Sequence, residues 1–322
     1  MKEILLIEVK SELGAGTRGA SLGIDAVKIA SIDLQSDFFA RYDSVNVRTD
    51  NSPLFTGFIS PSAKYVNAII GVEKRVCNAV CEALEFGQLP MVLAGDHSTA
   101  FGTIAGVKKA FPDKRLGVIW VDAHADLHTP YTTPSGNVHG MPLAMALGTD
   151  NRDVQTNEPP AEVAHIWEEI KKIGIEGPKL HPSDVVFISK RDTEAPEDYL
   201  AEKYGMRNYT TEEVRKYGPK KVAAMALEQL RECDMIYVSF DVDSLDPSVS
   251  VGTGTPVPGG LTVEEAKVIN TELVKSPKVL CWEMVEINPT LDSENKMAEV
   301  AFEIMEATAR SFEDSRMKPV LV

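Results

Sequence analysis

Leu116-Gly117-Val118-Ile119-Trp120-Val121-Asp122-Ala123-His124-Ala125-Asp126 sets the fold problem: a short apolar run gives way to three ionisable side chains at alternate positions. A run of this length and composition, rich in β-branched and aromatic residues, reads as a strand buried on both faces. Four more runs of the same kind end in similar chemistry. Met91-Val92-Leu93 precedes Asp96-His97, Val185-Val186-Phe187-Ile188 precedes Asp192 and Glu194, Ile236 to Phe240 precedes Asp241-Val242-Asp243, and Val279-Leu280-Cys281-Trp282 runs on to Glu286. Helical patterns separate these runs, which is the sequence form of βαβ units and a mostly parallel sheet. Ligands in open parallel sheets bind beyond the carboxyl ends of the strands, so the five ends can meet in one crevice.

Working outward, residues 1–8 (MKEILLIE) read as a first strand, too short and too acidic in its flanks for a signal peptide. Asn67 to Phe86 carries Ile69, Val72, Val76, Val80 and Leu84 at helical spacing, with Gly87 as a stop and Leu89 to Leu93 as the next buried strand. Thr262 and Glu265 have the spacing of a capping box at the start of another helix. Ser293 to Phe312 reads as a C-terminal helix, and Gly148 to Pro160 as a polar surface loop. No internal repeat interrupts the pattern, and residues 1–322 are read as one catalytic domain.

The formal charge is -15 over 322 residues, with 43% hydrophobic and 25% charged residues. That composition describes a globular chain with ample core material. The negative charge argues against nucleic acid or an anionic membrane as partner and favours a small cationic substrate. No apolar segment is long enough to span a bilayer, and the cytoplasm is the expected compartment. Cys77, Cys81, Cys233 and Cys281 lack CxxC spacing and are expected to be buried small side chains.

The clustered acids carry the functional argument. Alternation along extended backbone would point Asp122, His124 and Asp126 one way, and likewise Asp241 and Asp243. With His97 these give four carboxylates and two imidazoles, an oxygen-rich set without sulfur that suits Mn²⁺ and other divalent ions. Four negative charges balance two dications; without metal the carboxylates would repel and some would take up protons. A calcium loop beginning at Asp241 fails, because Asp246 stands at its glycine position and Gly252 at its glutamate position.

At these residues the sequence resembles the ureohydrolase family, and within it the arginases. The resemblance lies in Gly95-Asp96-His97-Ser98, Asp122 to Asp126, Ser239 to Pro247, Thr253-Gly254-Thr255-Pro256 and Glu286-Ile287-Asn288-Pro289, in the family's order and across most of the chain. It implies a three-layer α/β sandwich of the arginase/deacetylase-like kind, two Mn²⁺ ions, and a homotrimer or homohexamer. His97, Asp122, Asp126 and Asp241 match the ligands of one ion, and His124, Asp122, Asp241 and Asp243 those of the other. Two such ions lower the pKa of a bridging water toward neutrality, and the hydroxide would attack a guanidinium carbon. By the same resemblance Glu286 pairs with the guanidinium, His139 delivers a proton to the leaving amine, and Thr255 helps position the reacting centre. The segment Thr132 to Gly140 resembles the arginase loop that meets an amino acid's α-carboxylate, through Ser135 and Asn137. Asp192, Glu194 and Glu197 match the acidic positions near its α-amino group.

Two departures stand out. His128 replaces a typical asparagine that binds the α-carboxylate, and Glu194 replaces a typical aspartate. The segment Gly14-Ala15-Gly16-Thr17-Arg18-Gly19 also differs from the usual pattern. The expected reaction is hydrolysis of L-arginine to L-ornithine and urea. The alternative is a ureohydrolase acting on agmatine, guanidinobutyrate or formiminoglutamate. A two-metal phosphoesterase lacks a glycine-rich phosphate cradle here, and a non-catalytic metal binder would leave His139 and Glu286 without a role.

Overall fold

Residues 3–317 are described by a computed structural model. The strands are β1 (Ile4–Val9), β2 (Asp43–Asn46), β3 (Leu89–Ala94), β4 (Leu116–Val121), β5 (Val185–Ile188), β6 (Arg207–Tyr209), β7 (Met235–Asp241) and β8 (Val279–Val285). They form one sheet in the order β2-β1-β3-β8-β7-β4-β5-β6. Every neighbouring pair is parallel. The helices are α1 (Gly23–Asp33), α2 (Phe38–Arg41), α3 (Val66–Glu85), α4 (Ala100–Ala110), α5 (Pro142–Leu147), α6 (Ala161–Lys171), α7 (Ala195–Tyr204), α8 (Thr211–Tyr217), α9 (Pro219–Gln229), α10 (Val263–Leu273) and α11 (Lys296–Met317).

The continuous apolar runs follow from burial on both faces. Val118, Trp120, Phe187 and Tyr237 pack with α3 to α6 on one side, while Ile119, Val121, Val186 and Val238 pack with α1, α9, α10 and α11 on the other. The result is the expected three-layer α/β sandwich. The two edge strands β2 and β6 are short and polar and carry no apolar signature.

Most element expectations agree with the structure. The Asn67–Phe86 helix is α3, and the Thr262 capping box is present, with Thr262 accepting from Glu265 N–H. The first strand starts at Ile4; Met1 and Lys2 lie outside the described residues. The last helix runs from Lys296, not Ser293, because Glu294 and Asn295 take left-handed φ values of 55° and 59° and Asp292 accepts from Met297 N–H. It continues past Phe312, where Arg316 donates to the carbonyls of Ser276 and Val279. Strand β8 reaches Val285, three residues beyond Trp282. Residues 148–160 are irregular and mostly exposed, apart from a short 3-10 turn at Arg152–Val154 and the buried Asn151. All four cysteines are free and buried, and burial pushes the Cys77 thiol up to about 11.

Candidate metal centre and substrate pocket

The residues after β3, β4, β5 and β7 converge on a cavity of about 400 Å³ at the carboxyl edge of the sheet, and Glu286 after β8 joins them through His139. His97 opens the turn after β3. Its approach is fixed by Asp96, which accepts from Ser98 N–H and Gly14 N–H, and by Gly95, where a Cβ would lie 2.1 Å from the Ser11 carbonyl oxygen. The His97 ring stacks on Trp120 at 4.2 Å. Its Nδ1 lies 3.2 Å from Asp122 Oδ2 and 3.1 Å from both Asp126 Oδ2 and Asp241 Oδ2. His97 Nδ1, Asp122 Oδ2 and Asp126 Oδ2 are buried with no hydrogen-bond partner in good geometry.

Asp122 faces a second group with its other oxygen. His124 Nδ1 is 2.9 Å from Asp243 Oδ2 and 3.5 Å from Asp122 Oδ1. His97, Asp122 and Asp126 therefore offer donor atoms around one point, and Asp122, His124 and Asp243 around another. Strand alternation is not what brings them together. Strand β4 ends at Val121, and Asp126 turns inward on a left-handed backbone with φ 53°. Asp241 is the last residue of β7, and Asp243 lies in the following 3-10 turn, its N–H bonded to Asp241 Oδ1.

The electrostatics match a site built for cations. Burial pushes Asp241 well up, helped by the negative charges of Asp243 and Asp122; Asp126 and Asp243 rise for similar reasons. Burial would lower His97, but its contacts with Asp122, Asp126 and Asp241 hold it well above the imidazole range. His124 is likewise raised, by Asp243 and Asp122 against burial. The metal-free cluster thus stores protons where cations would sit, and a buried oxygen-nitrogen set with unsatisfied lone pairs fits divalent metal. Binding of Mn²⁺ is expected to release at least one proton, so affinity should fall about tenfold for each pH unit lost. Calorimetry in buffers of differing ionisation enthalpy measures that release.

His139 lines the pocket, and its Nδ1 is 3.0 Å from Glu286 Oε1. Glu286 is buried behind it, on a left-handed backbone with φ 69°, and also accepts from His97 N–H. Thr255 donates to Asp243 Oδ2 at 3.1 Å.

The pocket rim contains His128, Thr133, Ser135, Asn137, Asp192, Glu194 and Glu197. Both ring nitrogens of His128 have protein partners: Nε2 meets Glu194 Oε2 at 2.8 Å and Nδ1 meets Thr132 Oγ1 at 3.3 Å. Glu197 is buried, accepts from Leu127 N–H and Glu194 N–H, and completes the capping box of α7; burial raises it to about 7. His128 pulls Glu194 down to about 2. Asp192 stays mostly exposed, 3.7 Å from His124 Nε2. Ser135 is exposed, and Asn137 Oδ1 accepts from Lys64 Nζ. The Gly14–Gly19 segment packs against this wall, with Gly16 so close that a Cβ would lie 2.6 Å from Asn137 Nδ2.

Several participants had escaped the sequence reading. Ser239 bonds His97 Nε2 at 2.7 Å; its position two residues before Asp241, on the same strand face, was the available signal. Arg191 threads behind the site to the carbonyls of Asp243 and Val257, and Lys64 reaches from α3's entrance to Asn137; neither has a local signature.

An all-parallel α/β sandwich with two overlapping Asp/His clusters at its strand ends defines a metal-binding protein of the hydrolase kind. Residues 2–309 match the model of the Arginase family. The arginase of Brevibacillus brevis is 36% identical over 308 residues, covering 94% of this chain and 96% of that protein. The crystal structure of arginase from Bacillus caldovelox superposes with a TM-score of 0.80 at 33% identity, covering 100% of both chains. That of Entamoeba histolytica arginase in complex with L-ornithine gives 0.81 at 27% identity, covering 96% of this chain and 99% of that one. This chain belongs to the arginase family.

Proposed function

We propose that this chain, acting as one catalytic domain, hydrolyses L-arginine to L-ornithine and urea with two divalent cations, Mn²⁺ by expectation. The observation that carries this reading is the pair of overlapping donor groups joined by Asp122, with His97 Nδ1, Asp122 Oδ2 and Asp126 Oδ2 buried and unsatisfied. The set His97, Asp122, Asp126 and Asp241 would hold one cation, and His124, Asp122, Asp241 and Asp243 the other. When bound, the pair supplies an acidified water and a polarising charge.

The remaining chemistry falls to the chain's own groups. Asp126, at the pocket wall, accepts a hydrogen bond from the attacking water. Thr255 steadies Asp243. Glu286, behind His139 at the pocket wall, would pair with the guanidinium, a planar cation suited to two-pronged hydrogen bonding. As the C–N bond of the guanidino group breaks, His139 gives a proton to the departing amine; its pairing with Glu286 favours the protonated form against burial. Asp192, Glu194 and Glu197 supply negative potential for the substrate's ammonium, and Ser135 and Asn137 supply donors for its carboxylate. That the two nitrogens of His128 are taken by Glu194 and Thr132 supports a second reading, a ureohydrolase for another guanidino or formimino compound.

Urea release by Mn²⁺-reconstituted protein, compared as kcat/KM across arginine, agmatine and guanidinobutyrate, with formamide release assayed for formiminoglutamate, tests both. Arginine is expected to lead the panel; no turnover of any member would overturn the reading. A homotrimer or homohexamer in the cytoplasm is the accompanying expectation, with sedimentation as the check on subunit count. No helix among the described residues is long and apolar enough to cross a membrane.

A further inference from the structure

Lys64 stands just before α3, outside the Asp/His cluster, and reaches the wall of the pocket from behind. Its Nζ donates to Asn137 Oδ1 at 3.0 Å and lies 5.7 Å from the centre of the Phe58 ring. Its backbone N–H donates to the Gly136 carbonyl at 2.8 Å. Gly136 itself, at φ 72°, has no room for a side chain, because a Cβ there would lie 1.6 Å from the Pro61 carbonyl oxygen. The turn 61–64 and the loop 133–137 are thus locked together, and the lysine has a fixed root beside the pocket.

A side-chain amide has an acceptor end and a donor end, and what it can recognise depends on which end is already engaged. Lys64 engages the acceptor of Asn137. Nδ2 donates to none of the described residues and sits beside Gly16, where a Cβ would lie 2.6 Å from it. Turning the amide over would set its NH2 against the ammonium, donor against donor. The two hydroxyls of the same loop are engaged in the same sense: Thr133 Oγ1 accepts from Gly136 N–H at 2.9 Å, and Ser135 Oγ accepts from Asn137 N–H at 3.2 Å. Thr133, Ser135 and Asn137 all line the pocket, each with an oxygen occupied and a hydrogen left to give. Such a set suits an anion. The hydroxyls are oriented by backbone within the loop; only the amide depends on a side chain from elsewhere.

We propose that Lys64 is a positioning residue: by holding Asn137 Oδ1 it keeps Nδ2 free as a donor, and so makes this wall select guanidino compounds that carry a carboxylate. The proposal rests on the arginine reading given above. Steady-state kinetics of the Mn²⁺-loaded full chain with arginine test it, together with inhibition by L-ornithine and by putrescine, the same diamine chain without the carboxylate. Lys64→Met keeps the aliphatic stem and the backbone bond to Gly136 and removes the donor. It is expected to raise KM for arginine and Ki for ornithine about tenfold, the order of one hydrogen bond to a charged group, with kcat and the putrescine Ki within about twofold of wild type. Lys64→Arg, which keeps a donor, should bring the ornithine Ki back to within about threefold. In an Asn137→Ala background, Lys64→Met should add nothing, because the lysine acts through the amide. An unchanged KM, equal weakening of ornithine and putrescine, a loss confined to kcat, or the full loss repeated in the Asn137→Ala background would overturn the proposal while leaving the arginine reading standing. A wild-type chain that releases no urea from arginine would overturn both. If Lys64→Met does not fold, Lys64→Gln, whose amide stops short of Asn137, takes its place in the same comparisons.

Discussion

Asp241→Asn is expected to lower urea turnover by more than about a hundredfold while leaving the metal-free protein at least as stable as wild type. Loss of outer partners alone costs about 10- to 100-fold in metal affinity or activity, and a direct donor should exceed that. Asp241 Oδ2 lies 3.1 Å from His97 Nδ1, and Oδ1 accepts from Asp243 N–H, a bond asparagine can keep through its own oxygen. Burial and the neighbouring charges of Asp243 and Asp122 raise the Asp241 carboxyl well above its usual range, which favours the neutral form that asparagine imitates. The sign of the pH dependence follows. A carboxyl raised on folding contributes stability below its unfolded pKa and loses it as pH climbs through the folded value. Metal-free wild type should therefore lose stability with rising pH more steeply than Asp241→Asn. Wild type should regain it on loading, because a ligand at a hundred times its dissociation constant adds about 2.7 kcal/mol. Thermal denaturation with and without Mn²⁺ measures all of this; a variant that still gains the full increment would contradict Asp241 as a ligand.

His139→Asn is expected to lower kcat by about 10²- to 10⁴-fold, the span typical of general acid-base groups, with metal content unchanged. His139 Nδ1 bonds Glu286 Oε1, and Glu286 raises the imidazole against the opposing effect of burial. An acid with a raised pKa stays protonated to a higher pH than a free imidazole and fails as pH rises past its own value. The alkaline limb of kcat should thus belong to His139, and Glu286→Gln should move it toward lower pH. A pH profile of kcat for wild type, His139→Asn and Glu286→Gln checks the assignment. Full turnover in His139→Asn would remove the residue from the reaction.

Much of this was legible in the residues themselves. Burial on both faces makes each central strand a continuous apolar run, so β3, β4, β5, β7 and β8 announced themselves, and the ionisable residues after them marked one edge of the sheet. The exposed edge strands β2 and β6 had no such signal, because nothing forces apolar residues onto them. The expected donors do lie together, but for another reason than the one expected: the turn at Asp126, with its left-handed backbone, does what strand alternation was expected to do. The rim was legible as acidic, yet its pairing was not; His128 is spent on Glu194 and Thr132, and Glu197 on the first turn of α7.

Local chemistry thus settled which residue types were available and at which strand ends, since periodicity and side-chain class are properties of short stretches. Which oxygen faces which nitrogen was decided only by packing. Asp122 reaches two groups because β4 lies beside β7 in the sheet, and His97 meets Ser239 across 142 positions of sequence, a separation that no local pattern encodes.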